Sequence, residues 1–88
     1  MQITTRKHSV TLEGVGSVEI STSDLDYLAH DAFGYQPETC LFWGAGDRRE
    51  SVVVETYPSW PEAIQGHVAW TADIARVAKA VSEHVRER

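Results

Sequence analysis

Eighty-eight residues with 13 acidic and 8 basic side chains and a net charge of −5 leave room for one compact domain, residues 1–88. They argue against unaided nucleic-acid binding, which needs clustered lysine and arginine to meet phosphate. A single cysteine, Cys40, excludes an internal disulfide, no run of about 18 apolar residues offers a membrane span, and MQITTRKHSV has no signal-like apolar stretch, so a cytoplasmic protein is expected.

From the amino end, His8, Val10 and Leu12 alternate with Ser9 and Thr11, and beyond Gly14 and Gly16 the residues Val18 and Ile20 alternate with Ser17 and Glu19. Alternation on both sides of a glycine turn predicts a hairpin. Next, Leu25, Leu28, Ala29, Ala32 and Phe33 follow a 3.6-residue period, with Ser23 placed to cap the start and Gly34 to stop the end of a helix. Its opposite face carries Asp24, Tyr27 and Asp31, with Asp26 and His30 slightly around the cylinder. TCLFW (39–43), SVVVETY (51–57) and GHVAW (66–70) are rich in branched and aromatic residues and predict three further strands. For the last of them Pro61 offers an alternative, a helix through Glu62 and Ala63, against which Gly66 weighs.

Thr71 then precedes ADIARVAKAVSEHVRER, whose Ile74, Val77, Ala78, Val81 and Val85 predict a final amphipathic helix, acidic at its start and basic at its end. The expected fold is therefore α+β, a two-layer sandwich of a mainly antiparallel five-strand sheet with two helices on one face, in the order ββαβββα. Leu25, Leu28, Phe33, Ile74, Val77, Val81, Val10, Val18, Phe42 and Val54 are its expected core, and the sequence leaves open whether Phe42 or Trp43 points inward.

Catalytic and cofactor motifs are not apparent. Gly14-Val15-Gly16 and Gly44-Ala45-Gly46 begin like dinucleotide loops, but Glu19 and Arg49 stand where the third glycine belongs, and both read as hairpin turns. His8, His30, His67 and His84 lie on separate elements at no metal-ligand spacing, so neither a cofactor nor a metal is expected. A small enzyme using Cys40 and a histidine, His67 from a neighbouring strand, is one alternative. Trp60, in a loop between prolines, is either a lid on the core or an anchor for a protein partner.

Charge placement is the most distinctive feature. Between His8 and Asp47 there are seven acids, Glu13, Glu19, Asp24, Asp26, Asp31, Glu38 and Asp47, and no lysine or arginine. Surface charges of both signs are usually interspersed, and a one-signed region draws basic protein surfaces while repelling nucleic acid. A solvated face with helix-start aspartates is the bland account of the same residues.

In size, acidity and lack of catalytic motifs, the whole chain resembles the small phage-encoded anti-CRISPR proteins, a class without a shared fold or motif. The resemblance implies a monomeric inhibitor in the host cytoplasm that mimics nucleic acid. It would cover a basic surface on a DNA-binding subunit of a CRISPR effector complex and block DNA binding. Glu19, Asp24, Asp26, Asp31 and Glu38 would be its contacts and Tyr27 an amphipathic anchor, with Trp60 as a secondary candidate. An antitoxin or immunity-like protein would turn the same acidic surface on a basic toxin.

Overall fold

The alternating amino-terminal segments form β1 (Thr5–Leu12) and β2 (Gly16–Ser23) in the computed structural model, which describes residues 5–23 and 36–87. Gly14 and Gly16, at φ +81° and +99°, supply the left-handed backbone of the connecting turn. β3 (Glu38–Trp43) and β4 (Glu50–Thr56) follow, joined through a short 3-10 turn at Gly46–Arg48. The sheet is an antiparallel meander in the order β1-β2-β3-β4, with Val18 opposite both Val10 and Trp43, and Leu41 opposite both Ile20 and Val52.

Among the described residues there are four strands rather than five. The segment expected as a strand at 66–70 belongs to helix α1 (Trp60–Ala72), which is followed by α2 (Ile74–Glu87). The order ββαβββα is corrected accordingly: after β4 the described elements are two consecutive helices and no strand. The expected helix over 24–33, with Leu25, Leu28 and Phe33, lies outside the described residues. α1 forms because Ala63, His67 and Trp70, spaced by four and three, make one buried stripe, which outweighs the short alternation in GHVAW. Its start follows local rules: Ser59 is the N-cap, Pro61 occupies the first turn, and Ser59 Oγ donates to Glu62 Oε1 at 3.1 Å. Gly66 marks a close approach rather than a strand, since a Cβ there would run into the ring of Tyr57.

The final helix is capped two residues later than its sequence suggests. Asp73, not Thr71, takes the N-cap role, with Asp73 Oδ1 accepting from the Arg76 N–H at 3.0 Å and the chain breaking between α1 and α2. Both helices cover one face of the sheet, where Leu12, Val18, Ile20, Leu41 and Trp43 meet Trp70 of α1 and Val77 and Val81 of α2. Val10 and Val54 pack at the margin of this cluster. Two expected core members are displaced. Trp43 is buried instead of Phe42, because alternation from Leu41 admits only one of them to the helix side. Ile74, in the first turn as α2 leaves the break, is 52% exposed.

Candidate functional site

At one end of the same sheet face the buried side chains become polar. Thr22 continues the inward phase of Val18 and Ile20, Thr39 that of Leu41 and Trp43, and the register sets the two threonines opposite each other. Between β3 and β4 the register shifts next to Thr39, so that Cys40 faces Val53 but Thr39 faces Glu55, with Val54 as the additional residue. Such a bulge re-aims the side chains that follow it. Here it turns Glu55 toward the helices, where its carboxylate accepts from Trp70 Nε1 at 2.9 Å.

These groups form a single file. His67 Nδ1 lies 2.7 Å from Thr22 Oγ1, which lies 2.6 Å from Thr39 Oγ1, which lies 2.8 Å from the Tyr57 hydroxyl, and that hydroxyl donates to Glu55 Oε1 at 3.2 Å. The carboxylate fixes the direction of the file. Because Glu55 can only accept, Tyr57 donates to it and accepts from Thr39; each hydroxyl has one proton, so Thr39 accepts from Thr22 and Thr22 accepts from His67. His67 is therefore the tautomer with its proton on Nδ1, which leaves Nε2 as an acceptor that no described residue engages. Arg76 closes the far end, its guanidinium 3.7 Å from the centre of the Trp70 ring and 3.5 Å from Glu55 Oε1.

Burial acts on two titratable members of the file. Burial lowers the pKa of His67 from its ordinary 6.5, and the charges of His8 and Arg6 lower it further. Burial raises that of Tyr57 from 10.0 with help from Glu55, against the opposing hydrogen bond from Thr39 and the charge of Arg76. At neutral pH the imidazole is neutral and the phenol protonated, as the file requires. The arrangement orients a neutral base and holds α1 to three strands. Among the described residues no group of three histidine, cysteine or acidic side chains is placed to hold a metal ion.

Of the residues singled out by sequence, Glu19, Glu38 and Trp60 are among the described ones, and none of these three joins the file. Asp24, Asp26, Tyr27 and Asp31 lie outside the described residues. Glu19 and Glu38 share the sheet face away from the helices, on neighbouring strands. Glu19 is met by Arg49 at 3.7 Å, and Glu38 Oε1 accepts a weak bond from the Cys40 thiol at 3.7 Å. Trp60 is half-buried in the first turn of α1. The pairing of Cys40 with His67 from adjoining strands is corrected: Cys40 belongs to the outward phase of β3, whereas His67 sits on a helix packed against the inward face. What the sequence reading passed over is the pair Thr22 and Thr39, and their phase was the signal, since a hydroxyl in the buried register of a strand must find a partner.

No described helix is long and apolar enough to cross a membrane. Comparison of the chain with protein-family models, with curated proteins and with solved structures gave no match.

Proposed function

We propose that this chain is a small protein-binding inhibitor whose acidic side covers a basic, nucleic-acid-binding surface of a partner. In its most specific form it is a cytoplasmic, monomeric anti-CRISPR that keeps DNA off a CRISPR surveillance complex. The observation that supports this reading is the one-sided build of the sheet. α1 and α2 both pack on one face, and no described element covers the other, which carries Glu19 and Glu38 on the central strands with Lys7 on β1. The two central strands also come wholly from the stretch that lacks lysine and arginine. A partner's basic groove would meet backbone and side chains of fixed geometry there, with complementary charge raising the association rate.

Within this reading Glu38 and the aspartates at 24, 26 and 31 contribute more than Glu19, because Arg49 already offsets Glu19. The exposed outward Val53, 50% accessible, adds apolar contact area beside Cys40. His67, only 8% exposed, is a structural group here rather than a nucleophile's base.

The test is target-DNA binding by purified CRISPR surveillance complexes with and without this protein, at two salt concentrations. Wild type should suppress DNA binding, and more strongly at low salt. Asp24→Lys with Asp31→Lys should weaken suppression about tenfold or more, through slower association, while leaving the melting temperature close to wild type. Unchanged DNA binding by every complex tried, together with capture of a basic toxin instead, would move the assignment to an antitoxin.

A further inference from the structure

A second surface stands apart from the sheet face just considered. Among the described residues β4 pairs only with β3 and forms one edge of the sheet, so alternate backbone N–H and C=O groups along it turn away from the sheet. α2 starts next to the end of β4, where Arg76 reaches Glu55, and later places His84 against Trp43, which pairs with Glu50 at the beginning of β4. The helix therefore runs antiparallel to β4. By its last turns it has crossed to the β1–β2 hairpin, where Val85 and Arg86 lie beside Gly14 and Val15. This oblique path leaves Val52 and Val54 only half covered and opens a groove of about 410 Å³ between β4 and α2. Its size falls in the range of ligand clefts.

The groove has an apolar floor and a graded wall. Val52, Val54 and Ala80 form the floor, while Lys79, Glu83 and Glu87, spaced by four on α2, form a row above it. Lys79 stands at the end nearer Glu55 and approaches Glu83 at 4.0 Å, so the opposite end is left with an excess of negative charge. A strand edge that no described strand pairs, alternate apolar positions and a helix alongside are the ingredients of peptide recognition by strand addition.

We propose that this groove binds an extended segment of a partner protein as a fifth strand, antiparallel to β4, with branched apolar side chains toward Val52, Val54 and Ala80. A lysine or arginine at the carboxy-terminal end of that segment is held by Glu83 and Glu87. The antiparallel direction is chosen because its ladder is the more stable one per residue, and it sets the segment's carboxy-terminal end beside the start of β4 and the end of α2. A basic segment is favoured over a second copy of the chain, because two molecules of net charge −5 repel each other whereas a cationic peptide is attracted.

The experiment titrates the ¹⁵N-labelled full chain with the blocked peptide VTVTVR and with VTVTVE. The expected result is shifts confined to β4 and α2, slowed exchange of outward β4 amides, and cross-strand contacts in the antiparallel register. VTVTVR should bind at least about fivefold more tightly than VTVTVE, and Glu83→Lys with Glu87→Lys should erase or invert that preference. Ala80→Phe fills the floor at a half-exposed site and should abolish binding while the unbound spectrum keeps its sheet pattern. Absence of β4 shifts at millimolar VTVTVR overturns the proposal, as do equal affinities for the two peptides, or protection of β4 that grows with protein concentration and no peptide, which would mark a homodimer seam. Because no CRISPR component takes part, this assay can fail while the acidic-face reading holds, and the reverse.

Discussion

Ile20 faces Leu41 across β2 and β3, and at the next inward rung Thr22 faces Thr39; all four side chains are 0% exposed. The two rungs share strands, sheet face and burial, yet they are held by different physics. The first is stabilised by removal of apolar area from water, a non-directional effect worth about 1.5 to 3 kcal/mol per buried aliphatic side chain. The second holds polar atoms that burial alone would penalise, and it is tolerable only because each hydroxyl is engaged on both sides, up to His67 and down to Tyr57. An apolar rung tolerates volume-conserving exchange, whereas a polar rung in a single file does not, since one missing hydroxyl strands its neighbour.

The largest expected effect breaks the apolar rung. Leu41→Ala should destabilise by about 2 to 5 kcal/mol in urea unfolding, because nothing at a fully buried site can relax cheaply into the space. A change below about 0.5 kcal/mol would contradict the assigned sheet face. Thr22→Val sharpens the comparison at nearly constant volume. It leaves the His67 Nδ1 proton without its acceptor and should cost about 1 to 3 kcal/mol, whereas Ile20→Val, a larger loss of volume, should cost only about 0.5 to 1.5 kcal/mol. Equal values for the two substitutions would mean that the hydroxyl file contributes no more than packing.

A smaller effect is set by pH. The folded pKa of His67 lies below its ordinary 6.5, so as pH falls the unfolded chain takes up its proton first. The associated stability is complete above about pH 6.5 and is lost as pH falls through the lower folded value. The melting temperature of wild type should therefore drop between about pH 7.5 and pH 5, and His67→Gln should flatten that dependence. A slope unchanged by the substitution would place the proton uptake elsewhere. Least affected should be the outward face, where Glu19→Gln removes a solvent-accessible pair between half-buried Glu19 and exposed Arg49 and should change stability by no more than about 0.5 kcal/mol.

The contrast between rungs also explains which parts of the molecule were legible. The hairpin of β1 and β2, the strands β3 and β4 and the carboxy-terminal helix follow from local alternation and periodicity, and Val18, Val77 and Val81 of the expected core are buried together. For α1 the sequence offers both a strand and a helix, because GHVAW satisfies a two-residue period over five positions while Pro61 can open a helix, and the buried stripe of Ala63, His67 and Trp70 decides for the helix. The hydroxyl file was not legible as a unit. Its members come from β2, β3, β4, the segment after β4, and α1, and no spacing along the chain relates them.

By itself the sequence determined the net charge of −5, the base-free stretch between His8 and Asp47, and the class of fold, because these depend on composition and on contacts close along the chain. Only the tertiary structure decided that Trp43 rather than Phe42 enters the core, that Thr39 and Glu55 face each other across a bulge, and that His67 carries its proton on Nδ1. Both faces of TCLFW are apolar, so register against β2 had to choose between them. The proton on His67 is fixed by a carboxylate four hydrogen bonds away, a constraint that exists only once those strands and α1 have come together.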